Sequence, residues 1–138
     1  MTASVPVVVD TDVFSRVVMT APTGPYLKYR TLLDGRPLLL AAQTVAEMRA
    51  GALIRQWGPT RVAAMEARID RFAVVPVNEW MTRHWAELKA ACRSAGHALG
   101  DKHHDGDRWV AATAHYLRLP LASNDGIYVK APGVDLLV

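Results

Sequence analysis

The chain has 138 residues, 51% hydrophobic and 21% charged, with one cysteine and a formal charge of +3. A chain of this length and composition folds as one ordered domain, residues 1–138, and buries roughly two-thirds of its unfolded surface. Cys92 alone excludes an internal disulfide and any CxxC metal knuckle.

MTASVPVVVD lacks a basic n-region, and Pro37 to Ala42, the longest other apolar run, is far short of a membrane span. A soluble, cytoplasmic protein with no membrane partner is therefore expected. Val5 to Val9 reads as a buried strand, with Pro6 near its start where a missing N–H matters least. Thr11 and Asp12 can cap a helix over Val13 to Met19. APTGP then breaks the chain before a helical piece near Tyr26 to Leu33. Asp34-Gly35 signals a turn into a short strand, Pro37 to Leu40.

From Thr44, TVAEMRAGALIRQW is helical and is ended by Gly58-Pro59. The next helix, Arg61 to Phe72, carries Val62, Met65, Ile69 and Phe72 on one face. Ala73 to Val77 is a strand. Asn78 to Ala95 is a long helix with Met81, Trp85, Leu88 and Cys92 as its stripe, closed by Gly96. A helix over Asp107 to Leu117, a strand over Leu119 to Ala122 and a last strand over Val134 to Val138 complete the chain. Short apolar strands alternating with helices predict an α/β fold with a mostly parallel sheet.

In such sheets ligands bind beyond the carboxyl ends of the strands. Asp10 follows the first strand and Asp125 the fourth. Each acid also has a purely structural reading. Asp10 can stabilise a helix start, although Asp12 is better placed to do so. Thr44 and Glu47 match the S/T-x-x-E capping box. Asp107 opens the helix DRWVAATAHYL, after Gly106, and competes with Asp101 and Asp105 on the loop side. Asp125 falls in an Asn-Asp-Gly turn, with Ser123 able to orient a carboxylate, reach a metal through water, or cap.

Four acids at strand or helix ends repel one another unless a hard cation sits among them. Mg²⁺ and Mn²⁺ favour carboxylate and water oxygens. The pattern points to a metal-dependent phosphodiesterase acting through a metal-activated water. A mildly basic surface outside the site favours a polyanion. Arg49, Arg55, Lys28 and Arg30 are candidate phosphate contacts, each with a plain reading as a solvated charge. The Arg61–Phe72 face can be core, or can receive a partner helix.

Other chemistries find less support. His84, His97, His103, His104 and His115 include no helical His-x-x-x-His pair, so a structural zinc site is not expected. His103-His104 read as a mobile loop at the pocket rim. P-loop, GxGxxG and GxSxG patterns are absent from the sequence.

VVVDTDVFS, QTVAEMRAG and DRWVAATAHYLRLPLASND, in this order, resemble the motifs of PIN-domain ribonucleases, and within them the toxins of VapBC toxin–antitoxin pairs. The resemblance runs almost end to end. It implies a three-layer α/β/α sandwich, with catalytic and metal-site roles for Asp10, Glu47, Asp107 and Asp125 and Ser123 as the neighbouring hydroxyl. It further implies Mg²⁺- or Mn²⁺-dependent cleavage of RNA, a homodimer, and inhibition by a cognate antitoxin. Ile127 departs from the family where many relatives carry another acid, and Asp12 stands where asparagine is frequent. A PIN nuclease of RNA processing without an antitoxin, and a catalytically silent binding module, are the alternative readings.

Overall fold

The structure, a computed structural model, describes residues 4–137. Four parallel strands form one sheet in the order β3-β2-β1-β4, with β1 Val7–Val9, β2 Leu38–Ala41, β3 Ala73–Val75 and β4 Leu121–Ala122. Val8 lies opposite Leu39 on one side and Leu121 on the other. Strand side chains alternate between faces, and the core divides accordingly. Val7, Val9 and Leu40 pack with Phe14, Tyr29, Met65 and Ile69. Val8, Ala41 and Leu121 pack with Met81, Leu88, Cys92 and Ala112. These two clusters make the three-layer α/β/α sandwich that the family resemblance implies.

Among the described residues six α-helices supply the outer layers: α1 Thr11–Val13, α2 Tyr29–Leu32, α3 Ala42–Ile54, α4 Pro59–Ile69, α5 Glu79–Ser94 and α6 Asp105–Leu117. Pro59 occupies the first turn of α4, where its missing N–H costs nothing. Gly96, at φ +69°, ends α5 as predicted.

Several boundaries differ from expectation. The first helix is α for three residues and then widens into a π-helical turn, Phe14–Val18. The third begins at Ala42, so Thr44 is a buried first-turn residue and not a cap. The sixth begins at Asp105, which places Asp105 in the helix and not in the loop before it. His103 and His104 belong to a 3-10 turn, Lys102–His104. The expected last strand reduces to a parallel bridge of Leu136 with Leu121; Val138 lies outside the described residues. Among the described residues no helix is long and apolar enough to cross a membrane.

The chain runs from β1 to β2 and β3 on one side, then crosses back from β3 to place β4 on the other side of β1. The carboxyl ends of β1 and β4 therefore form a switch point, where a crevice opens.

Candidate active site

Asp10 emerges from β1 into that crevice and caps α1 itself: its Oδ1 accepts the Val13 N–H at 2.8 Å. Asp12, the better cap by sequence, is exposed. Asp10 Oδ2 accepts the Ser123 hydroxyl at 2.5 Å, and Ser123 Oγ in turn accepts the Asp125 N–H at 3.0 Å. Ser123 thus ties the end of β4 to the end of β1 and fixes the carboxylate's direction. Asp10 is only 6% exposed. Burial, helped by the charges of Asp12 and Asp125, raises its pKa from 3.8 to about 6 against the opposing bonds from Ser123 and Val13.

Glu47 does not close a capping box. Its Oε2 accepts the Thr11 hydroxyl at 2.5 Å and its Oε1 accepts from Gln43 Nε2 at 3.1 Å. Thr44 Oγ1 stands 3.2 Å from Thr11 Oγ1. One carboxylate oxygen therefore reaches across to α1, while the other is held by the Gln43 side chain one turn back on α3. Gly106 leaves these two side chains room where α3 meets α6, since a Cβ there would lie 3.0 Å from Gln43 Nε2 and 3.4 Å from Glu47 Oε1.

Asp107 sits in the first turn of α6, at the positive end of the helix dipole. The His104 ring donates from Nδ1 to Asp107 Oδ2 at 2.8 Å, and the Tyr128 hydroxyl donates to the Asp107 carbonyl at 3.0 Å. Asp125 does make its expected turn: Oδ1 accepts the Ile127 N–H at 3.0 Å and caps a 3-10 turn, Gly126–Tyr128. It lines the crevice as well.

All four acids meet there, with Thr11, Asp12, Val110 and Tyr128, around a cavity of about 120 Å³. No lysine or arginine stands among these lining residues. The Tyr128 phenol registers the same convergence. Burial pushes its pKa far above the usual range, and the charges of Asp107, Asp10, Asp125 and Glu47 push it further. Thr11 and Tyr128 escaped the reading of the acids; Asp12 carried a signal as the second acid of DTD, and His104 as one of the pair expected at the pocket rim.

The oxygen-only donor set suits a hard divalent cation, which keeps several waters and takes one or two carboxylates directly. Among the described residues the four acids form no group of three with ligand atoms all within 4.8 Å.

Comparison with known proteins agrees with this geometry. The chain is 27% identical over 139 residues to VapC ribonuclease Y4jK of Sinorhizobium fredii (strain NBRC 101917 / NGR234), covering 95% of each. Among solved structures, VapBC2 from Rickettsia felis bound to a promoter DNA fragment is similar at TM-score 0.75 and 15% identity, over 96% of this chain and 97% of that one. VapBC-5 of Mycobacterium tuberculosis, a member of a toxin–antitoxin family, is similar at TM-score 0.68 and 26% identity, over 96% and 97%. The PIN domain family model matches residues 7–134. With its parallel sheet, its acidic crevice and this match, the chain belongs to the PIN domain family.

Proposed function

We propose that the chain, acting as a single domain, is a Mg²⁺- or Mn²⁺-dependent endoribonuclease and the toxin of a type II toxin–antitoxin pair. The observation that carries this reading is the convergence of Asp10, Glu47, Asp107 and Asp125 on one crevice without a cationic side chain among its lining residues. The likeness to a protein named VapC ribonuclease supports the same class.

Asp10, Glu47, Asp107 and Asp125 would hold the cation. When bound, it would make water a better nucleophile and offset charge on the phosphoryl group. The protein's own part is orientation. Ser123 and the Val13 N–H fix Asp10, Thr11 and Gln43 fix Glu47, and His104 fixes Asp107. Such supporting hydrogen bonds keep ligands in place without rearrangement.

From the acids a groove of about 470 Å³ runs past Arg16, Gly51 and Arg55 to Trp57. Its two arginines suit the phosphates of a bound RNA. With sixteen Lys and Arg against nine acids outside the four, the remaining surface also favours a polyanion. Arg49, another candidate, is instead paired with Glu66 at 2.7 Å. An adjoining apolar cavity of about 330 Å³, lined by Met19, Met48, Trp57 and Met65, suits a helical or extended antitoxin segment. Leu53 and Ile54, about four-fifths exposed at the end of α3, support a homodimer.

The direct test is cleavage of a short single-stranded RNA by the purified chain. Cutting should require Mg²⁺ or Mn²⁺, stop with EDTA, and fall by at least about 100-fold in Asp107→Asn. Undiminished cutting in EDTA would exclude the metal mechanism. Stable co-purification with the product of a small adjacent reading frame would support the toxin; a chain that cuts RNA and finds no such partner would be a processing nuclease.

Gly106→Ala probes the α3–α6 approach separately. Alanine favours the helix by up to about 1 kcal/mol, so the melting temperature should hold or rise slightly. The added methyl displaces Gln43 and crowds Glu47, so Mn²⁺ affinity should fall roughly tenfold. Unchanged Mn²⁺ binding, followed by tryptophan fluorescence, would show that this contact does not shape the site.

A further inference from the structure

At the far end of α6 a second group of side chains converges, and the acidic crevice makes no use of it. His84 and Glu87 are one turn apart on α5, and so share a face. His115 lies in the last turn of α6. The two imidazoles turn their Nδ1 atoms toward each other at 2.8 Å, with ring centroids 5.0 Å apart and planes at 64°. One ligand atom from each of His84, Glu87 and His115 lies within 4.8 Å of the other two. This is the tight donor cluster that the four acids do not form.

Two neutral imidazoles facing through Nδ1 can share only one proton. A second proton there would set two N–H groups head to head and leave a net positive charge on the pair. Burial and the neighbouring His84 accordingly lower the His115 pKa, with Glu87 opposing. Each imidazole in its neutral form offers one lone pair. A cation can collect both once each ring carries its proton on Nε2, and Glu87 supplies the charge that balances it.

The surroundings leave room. The three residues line an open cavity of about 530 Å³ with Arg118 and Asp135, so a further carboxylate stands beside the cluster and the arginine is the opposing charge. Gly133 closes over His115, where a Cβ would lie 3.5 Å from Nε2. The carboxyl end of α6 adds its negative dipole. Tetrahedral zinc, with Zn–N of about 2.0–2.1 Å, needs the two nitrogens about 3.4 Å apart, which small side-chain rotations can provide.

We propose that His84, Glu87 and His115 form a binding site for a zinc-class transition cation, separate from the acidic crevice. Imidazole donors select Zn²⁺, Co²⁺ or Ni²⁺, whereas an all-oxygen crevice suits Mg²⁺ or Mn²⁺. Eight residues, about 12 Å of helix, separate His115 from Asp107, so the two sites load independently. The site joins α5 to α6, the helix that carries Asp107. Its occupant clamps these helices and leaves the donor set of the crevice unchanged.

The test uses the full chain, free of any histidine tag, in the Asp10→Asn background with excess Mg²⁺, titrated with Zn²⁺ and in parallel with Co²⁺. One equivalent of Zn²⁺ should bind, and Co²⁺ should give the visible bands of a low-coordinate nitrogen site. His115→Ala should abolish both. Glu87→Gln, at an exposed position that leaves the fold unchanged, should weaken Zn²⁺ at least tenfold. Zinc should raise the melting temperature of the parent and not of His115→Ala. The proposal is overturned if no Zn²⁺ binds in this background, or if Glu87→Gln and a folded His115→Ala both keep the parent stoichiometry and affinity.

Discussion

Asp10→Asn is expected to abolish RNA cleavage and, at the same time, to make the metal-free protein more stable. The loss follows from the place of Asp10 at the centre of the crevice: an amide supplies no charge to a divalent cation and binds it far more weakly. The gain follows from burial. The carboxyl group titrates near 3.8 unfolded and near 6 folded. Below about pH 4 it is protonated in both states and burial costs little. As pH rises from 3.8 to 6 the unfolded chain ionises first, so stability falls through this window, and the full cost persists above it. The shift corresponds to about 3 kcal/mol at pH 7. Asparagine removes that cost and keeps the neighbouring bonds. Its Oδ1 can accept the Val13 N–H, and its amide can donate to Ser123 Oγ.

Chemical denaturation at pH 4 and pH 7 checks this directly. The two proteins should be nearly equal at pH 4, with the variant ahead by about 2–3 kcal/mol at pH 7. Saturating Mn²⁺ should then reverse the order, because only the wild type gains strongly from binding. A variant that cleaves RNA, or that is less stable than wild type at pH 7 without metal, would contradict this role for Asp10. The expected trade has a general cause: a site built to hold a cation stores repulsion and desolvation when the cation is absent.

The same residue shows how far the sequence could be read. Asp10 and Asp125 were legible because a buried β-strand is a recognisable apolar run, and in a parallel sheet its carboxyl end is where ligands lie. The stripes on α4 and α5 were legible for a similar reason. Met65, Ile69, Met81, Leu88 and Cys92 are all buried, with Val62, Phe72 and Trp85 packed against the core clusters. Which residue caps α1 and α3 was not legible. Asp10, Asp12, Thr44 and Glu47 all have capping chemistry, but which of them caps depends on where the backbone turns helical, and α3 turns two residues earlier than expected. Once Thr44 is inside the helix, Glu47 has no cap to serve and faces Thr11, 36 positions away. The meeting of His84 with His115 was equally hidden, since a spacing rule within one helix says nothing about two helices that cross. The last strand failed because Leu136 pairs only with Leu121, at an edge where little backbone is shared.

Arg108 carries the largest expected effect on folding. As the residue after Asp107 it points about 100° around α6, into the interior, and its side chain is fully buried. Its guanidinium donates from Nη1 to the Leu99 carbonyl at 2.5 Å and to the Asp101 carbonyl at 3.2 Å, and from Nη2 to Asp105. Its Cζ lies 4.5 Å from the centre of the Trp85 ring. One side chain thereby fastens the 98–104 segment, which delivers His104 to Asp107, onto the start of α6. Arg108→Ala would leave a void beside Trp85 and strip both carbonyls of their donor, at an expected cost of about 3–5 kcal/mol. Arg108→Met restores volume but no donor, so it should recover only part of this. Arg108→Lys keeps the charge yet cannot reach two carbonyls and a carboxylate together from one ammonium. It should therefore fold, while cleavage drops because His104 no longer holds Asp107 in direction. Urea denaturation ranks the three variants, and a cleavage assay on Arg108→Lys separates anchoring from stability. If Arg108→Ala stayed within about 1 kcal/mol of wild type, the buried guanidinium would be packing rather than anchorage. Asp107 would then owe its direction to the helix alone.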